Sequence, residues 1–138
     1  MSNSEYIKYQ HVEKLGNTEV DGIELGDVYV FPKLDGTNAH VWFDDAGIHF
    51  GSRNREVSVG NDNAGFMEVM LEDDAVCNMA TALEGCHIFG EWLVPHSLRT
   101  YREEAWRRFY VFDITTCNEQ GDVRHMHYDE VKRHCEEH

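Results

Sequence analysis

The chain is a succession of short β-prone runs separated by turn residues, with one helical stretch among them, and that rhythm limits the folds open to it. Val28-Tyr29-Val30-Phe31 is the first run, and Pro32 ends it. Ala39-His40-Val41-Trp42-Phe43 is the second. Asp44-Asp45-Ala46-Gly47 carries a turn signal, and Ile48-His49-Phe50-Gly51-Ser52-Arg53 reads as the returning strand. Beyond a polar stretch at residues 61–63, Phe66, Val69, Met70, Val76, Met79, Ala80 and Leu83 recur near helical spacing. Asp62 or Asn63 would cap that helix and Gly85 would close it. Cys86 to Trp92 is a further strand, and Arg108 to Thr115 is the clearest strand of all. Residues 118–122 form a turn, and Tyr128 to His138 a charged helix. The pattern lacks the strand–helix alternation of a doubly wound parallel sheet. It predicts an α+β fold with a mixed, mainly antiparallel sheet and flanking helices.

A length of 138 residues fits one domain, residues 1–138, and 41% apolar residues suffice for one core. No apolar run reaches bilayer-spanning length. Met1-Ser2-Asn3-Ser4-Glu5 lacks the basic and apolar parts of a leader, so a soluble cytoplasmic protein is expected, with no membrane partner. Cys77, Cys86, Cys117 and Cys135 form no C-x-x-C pair and read as reduced, partly buried thiols. His125, His127, His134 and His138 cluster without the spacing of a tetrahedral site and read as solvated, so no metal ligand is assigned. Glu72-Asp73-Asp74 reads as a wet helix face. The formal net charge is −14, with four lysines and eight arginines. Phosphate neutralisation supplies most non-specific affinity for nucleic acid. Any contact with RNA is therefore local or shared with another segment.

Lys33 stands out because it ends an apolar run and precedes the compact polar turn Asp35-Gly36-Thr37-Asn38. An arbitrary lysine is a solvated surface group. A lysine held beside a glycine that admits a phosphate is suited to nucleophilic work, provided its amine is neutral.

Lys33-Leu34-Asp35-Gly36-Thr37-Asn38 resembles the first motif of the covalent nucleotidyltransferases, which include ATP-dependent DNA ligases, RNA ligases and mRNA capping enzymes. Gly51-Ser52-Arg53-Asn54-Arg55 resembles the arginine element on the next strand. Phe89-Gly90-Glu91-Trp92 is similar to the third motif, and Phe109-Tyr110-Val111-Phe112-Asp113-Ile114 to the motif after it. The Thr37-Asn38 ending is most similar to the phage-type second class of RNA ligases. The resemblance implies an N-terminal portion of an ATP-grasp-like/ligase nucleotidyltransferase domain. It implies ATP and Mg²⁺ as cofactors and RNA ends as a partner. It places Lys33 as the residue that takes AMP and Arg53 near the ribose or RNA end. Glu91 would take a ribose hydroxyl and Phe112 would stack on adenine. Asp35, Gly36 and Asn38 complete the nucleotide-binding set. Read on its own, Phe112 alternates with Tyr110 and Ile114 and fits core packing.

The family's fourth motif, which holds a metal, and its fifth, Lys-x-Lys, have no counterpart in order along these residues. Positive charge around the transferred group drives phosphoryl transfer. The resemblance therefore leaves three expectations: a chain truncated before those motifs, a half whose complementary ligase fragment supplies them, or a non-catalytic nucleotide- or RNA-end-binding module.

Overall fold

The computed structural model describes residues 6–138. Residues 1–5, on which the expected absence of a leader rests, lie outside the described residues. Five strands form one sheet: β1 (Thr37–Asp44), β2 (Gly47–Ser52), β3 (Cys86–Trp92), β4 (Phe109–Cys117) and β5 (Val123–His125). Their order is β2-β1-β3-β4-β5 and every pairing is antiparallel. Helices α1 (Phe66–Leu71), α2 (Asp74–Ala82) and α3 (Tyr128–Glu137) flank it. The fold is α+β, as the pattern of runs predicts. No helix among the described residues is long and apolar enough to cross a membrane.

Alternation along the strands sorts the sheet into two faces. Val41 pairs with Phe50 on one side and Ile88 on the other, and Ile88 pairs with Ile114. These residues, with Ala39 and Trp92, pack against Phe66, Met70, Met79, Ala80 and Val131 from the helices. Each of the larger of these side chains contributes about 1.5–3 kcal/mol relative to exposure. The opposite face carries His40, Trp42, His87, Phe89, Asp113 and Thr115, all buried. Residues 6–10 cross that face. Tyr6 donates from Oη to the Ser52 carbonyl at 2.9 Å, and Tyr9 packs 4.9 Å from Phe89, ring to ring.

Two local expectations are corrected. Residues 28–31 form no strand, and Val30 is 88% exposed. A strand needs a ladder partner, and this segment instead rests Tyr29 and Phe31 on Tyr128, at 4.7 and 4.9 Å. Lys33 therefore follows an irregular segment rather than a strand end. The helix expected across residues 66–83 is two helices. Asp73 breaks it, because its side chain caps α2 by accepting the Val76 N–H at 3.1 Å, an alternative that short acidic side chains offer. Glu72 and Asp74, on either side of this joint, are exposed, as expected of a wet face. Asp62 does serve the first helix, accepting N–H groups of Asn63, Met67 and Glu68 at 2.6–3.0 Å. No disulfide joins the four cysteines; Cys77 and Cys86 are half-buried and Cys117 and Cys135 exposed.

Candidate active site

The site begins with Gly36. A Cβ built there would lie 2.2 Å from the Trp92 carbonyl oxygen, so only glycine lets the segment before β1 lie against the end of β3. That closeness puts the Gly36 N–H on the Glu91 carboxylate. Asn38 faces Glu91 directly across the β1–β3 ladder. Glu91 is half-buried, and its pKa is raised. Burial is the largest cause; Lys33, the Gly36 N–H and Arg53 pull it back down, and Asp35 pushes it up. Lys33, Asp35, Gly36, Asn38 and Arg53 therefore all gather around this one carboxylate.

Each has its own support. Lys33 is exposed. Arg53 lies in the bend just after β2 rather than inside the strand, and is also exposed. Asp35 ties the segment to the loop after β3. Its Oδ2 accepts the Leu98 N–H at 2.6 Å, His96 lies 3.3 Å from Oδ1, and the Asp35 N–H donates to Tyr101 Oη at 3.0 Å. The Leu98 N–H, then His96, holds the Asp35 pKa low against its slight desolvation. Asn38 has a buried Oδ1 without a partner, and its backbone carbonyl accepts from Asn63 Nδ2 at 3.2 Å. Arg55 is structural: it donates to the carbonyls of Asn61 and Asp62 at 2.6 and 3.0 Å.

Phe112 corrects the packing expectation. Phe89 pairs with Asp113 and Gly90 with Val111, so Phe112 is the extra residue of a β-bulge. A bulge re-aims a side chain, and the Phe112 ring is 44% exposed instead of joining the core. Its edge is fixed by Tyr9, 5.2 Å away in a T-shaped contact.

Sequence reasoning missed what surrounds this cluster. His40 and His87 are buried with neither ring nitrogen hydrogen-bonded. They stack with Trp42 and Phe89 at 4.6–6.1 Å. Desolvation, first, and their mutual repulsion or a neighbouring His49 push their pKa values down to about 3 and about 4. Gly51 makes the room, because a Cβ there would meet His40 Cε1 at 2.4 Å. Nor are the C-terminal histidines simply solvated. His125 holds Asp113, and His127 caps α3 by accepting the Asp129 N–H at 3.1 Å. Nothing in the local pattern announces either contact.

A depression of about 660 Å³ is open and lined by Tyr101, Arg102, Arg108 and Tyr110, among others. It borders the candidate cluster through Tyr101, which accepts the Asp35 N–H, and through Tyr110, which lies opposite Glu91 in the β3–β4 ladder. For a metal, the one group of three close ligand atoms among the described residues is His134, Glu137 and His138 on α3. Beside Lys33 the carboxylates of Asp35 and Glu91 already accept backbone N–H groups. Among the described residues no three ligand atoms converge beside Lys33, so a Mg²⁺ there would be held with the help of substrate phosphates.

The fold and cluster define an α+β domain with a glycine-framed lysine, a half-buried carboxylate and an exposed aromatic on one sheet. The RNA ligase family model matches residues 26–138, and the chain belongs to that family. No curated protein matches it.

Proposed function

We propose that this chain is an ATP-dependent adenylyltransferase domain of the phage-type RNA ligase class, with Lys33 as its nucleophile. The observation that carries the reading is the half-buried Glu91 near the end of β3, with Asn38 opposite it, Gly36 pressed against the adjoining Trp92 carbonyl, and Lys33 and Arg53 near enough to favour its charge. In a chain of net charge −14, cations focused on one half-buried carboxylate mark a place built for a polar ligand. In this reading the neutral Lys33 amine attacks the α-phosphorus of ATP. A P–N bond forms, the P–O bond to pyrophosphate breaks, and the amine proton leaves to solvent. Glu91 accepts a ribose hydroxyl in a charge-assisted hydrogen bond. The outward Phe112 ring offers a flat face for adenine. AMP then passes to an RNA 5′-phosphate, and a 3′-hydroxyl displaces it. Magnesium enters as the ion accompanying ATP, since no three ligand atoms converge beside Lys33 among the described residues.

Incubation with ATP and Mg²⁺ followed by intact-mass measurement tests this. An AMP adduct lost in Lys33→Ala is expected. No adduct, alone or with a complementary fragment carrying Lys-x-Lys, refutes the catalytic role. The exposure of Lys33 favours one second reading, a nucleotide- or RNA-end-binding module without turnover. It predicts ATP binding that survives Lys33→Ala and is lost in Phe112→Ala.

A further inference from the structure

That reading leaves a cavity of about 210 Å³ unused, between residues 7–10 and the β4–β5 end of the sheet. Lys8, Tyr9, Thr115 and His125 are in its wall. Thr115 is 2% exposed, and its hydroxyl has no hydrogen-bond partner. Buried polar groups are almost always paired, so a hydroxyl in a cavity wall with no partner points to a ligand that supplies one. Thr115 sits opposite His125 in the β4–β5 ladder. The His125 Nδ1 lies 2.5 Å from Asp113 Oδ2, which fixes the ring and leaves Nε2 as its outer nitrogen. Tyr9 Oη donates to the same carboxylate oxygen at 2.7 Å. Asp113 is thus answered by two protein groups. What remains for a ligand is the Lys8 ammonium and the Thr115 hydroxyl, which donate, and the His125 Nε2, which accepts from a ligand that carries a proton, as a hydrogen phosphate does.

We propose that this cavity is an oxyanion site that takes a phosphate group. Its volume is below the roughly 300 Å³ at which drug-sized ligands begin, so one phosphate or one group of a longer ligand fits. It is not the phosphate at Lys33. Thr115 lies opposite His87, four residues along β3 from Glu91 and so about 13 Å away. The source is free phosphate or a backbone phosphate of a nucleic acid strand. The second source rests on the RNA ligase reading; the site itself does not. Residues 7–10 lie outside the family match at 26–138, so half of this wall belongs to the chain's own N-terminal segment.

The test is titration of the whole chain with inorganic phosphate against chloride at matched ionic strength. The readouts are the His125 ring proton resonances and the thermal midpoint. Phosphate shifts the His125 signals and raises the midpoint. Thr115→Val, which keeps the shape and removes the hydroxyl, weakens this binding about tenfold, as loss of one hydrogen bond to a charged group does. Lys8→Gln, on an exposed side chain, weakens it in the same direction, and Lys33→Ala leaves it unchanged. Competition by an unphosphorylated single-stranded RNA identifies a backbone phosphate as the source, and no competition identifies free phosphate. His125 signals that move equally in chloride, or Thr115→Val and Lys8→Gln variants that bind phosphate like the parent, overturn the proposal.

Discussion

Acidification should destabilise this fold well before its carboxylates titrate, through His40 and His87. Both are buried, with desolvation as the main cause of pKa values near 3 and 4 against an ordinary 6.5. In the unfolded chain both take a proton as pH falls through 6.5; in the folded chain they do not. The unfolded state therefore binds more protons between about pH 6.5 and 4, and stability rises with pH across that window. At about pH 5 each histidine is displaced by roughly 1.5 pH units of linkage, or about 2 kcal/mol at 1.36 kcal/mol per unit. The pair costs about 4 kcal/mol, a large share of the 5–15 kcal/mol typical of a domain. His49 works the other way. Burial lowers its pKa, but hydrogen bonds from its ring to Glu56 and Asp44 outweigh that and raise it. Its stabilisation is present in acid and fades as pH rises through its folded pKa. The perturbation that isolates the buried pair is His40→Met with His87→Met, which removes both titrations and keeps apolar volume. Urea denaturation at about pH 7.5 and about pH 5 should show the parent losing about 4 kcal/mol more than the double variant. The double variant should also be the more stable at pH 7.5, because four unsatisfied ring nitrogens are gone. Equal losses in the two proteins, or ring protons of His40 and His87 titrating near 6.5, would refute the reasoning.

Glu91→Gln separates stability from binding. The raised pKa means the ionised carboxylate costs stability above the ordinary carboxylate range, so the variant should have a higher thermal midpoint at pH 7.5 while ATP affinity drops about tenfold by calorimetry. Phe112→Ala should cost about 1 kcal/mol in denaturation, well under the 3–5 kcal/mol of a buried phenylalanine, because its ring is already 44% exposed; ATP affinity should still fall about tenfold. Gly36→Ala forces a Cβ into the Trp92 carbonyl, and the displaced segment should lower the rate of AMP transfer about 100-fold in a single-turnover assay, with the far-ultraviolet dichroism of the sheet retained.

What was legible in the sequence is what short-range rules decide. Cys86 to Trp92 reads as a strand because a short, largely apolar and aromatic run follows the helix-closing Gly85, and β3 spans the same residues. Tyr128 as the start of the last helix is equally local, and α3 begins there. Residues 28–31 have the same β-prone composition as β1 and still form no strand, because composition does not supply a neighbour to pair with. Phe112 was misread for a related reason. Alternation assumes an unbroken register, and the bulge that turns the ring outward is set by which residues of β3 it faces. At the candidate site, Lys33, Gly36, Asn38 and Glu91 were legible as words of a motif. The Tyr9–Asp113 hydrogen bond spans 104 residues, and no pattern in either neighbourhood signals it.

The charge balance shows why Glu91 is a different kind of carboxylate from the other acids. Most of the 26 aspartates and glutamates can stay hydrated, which costs nothing and explains nothing. Glu91 is half-buried at the end of β3, where desolvation disfavours its charge. The chain spends two of its twelve basic residues, Lys33 and Arg53, near it, and shapes a glycine against β3 to give it an N–H. Those three groups offset the burial without removing it, since the net direction of the pKa is still upward. A carboxylate left in that condition gains from one more donor. A sugar hydroxyl arriving beside the exposed Phe112 ring would supply it, whereas a hydrated surface acid would gain little from the same contact.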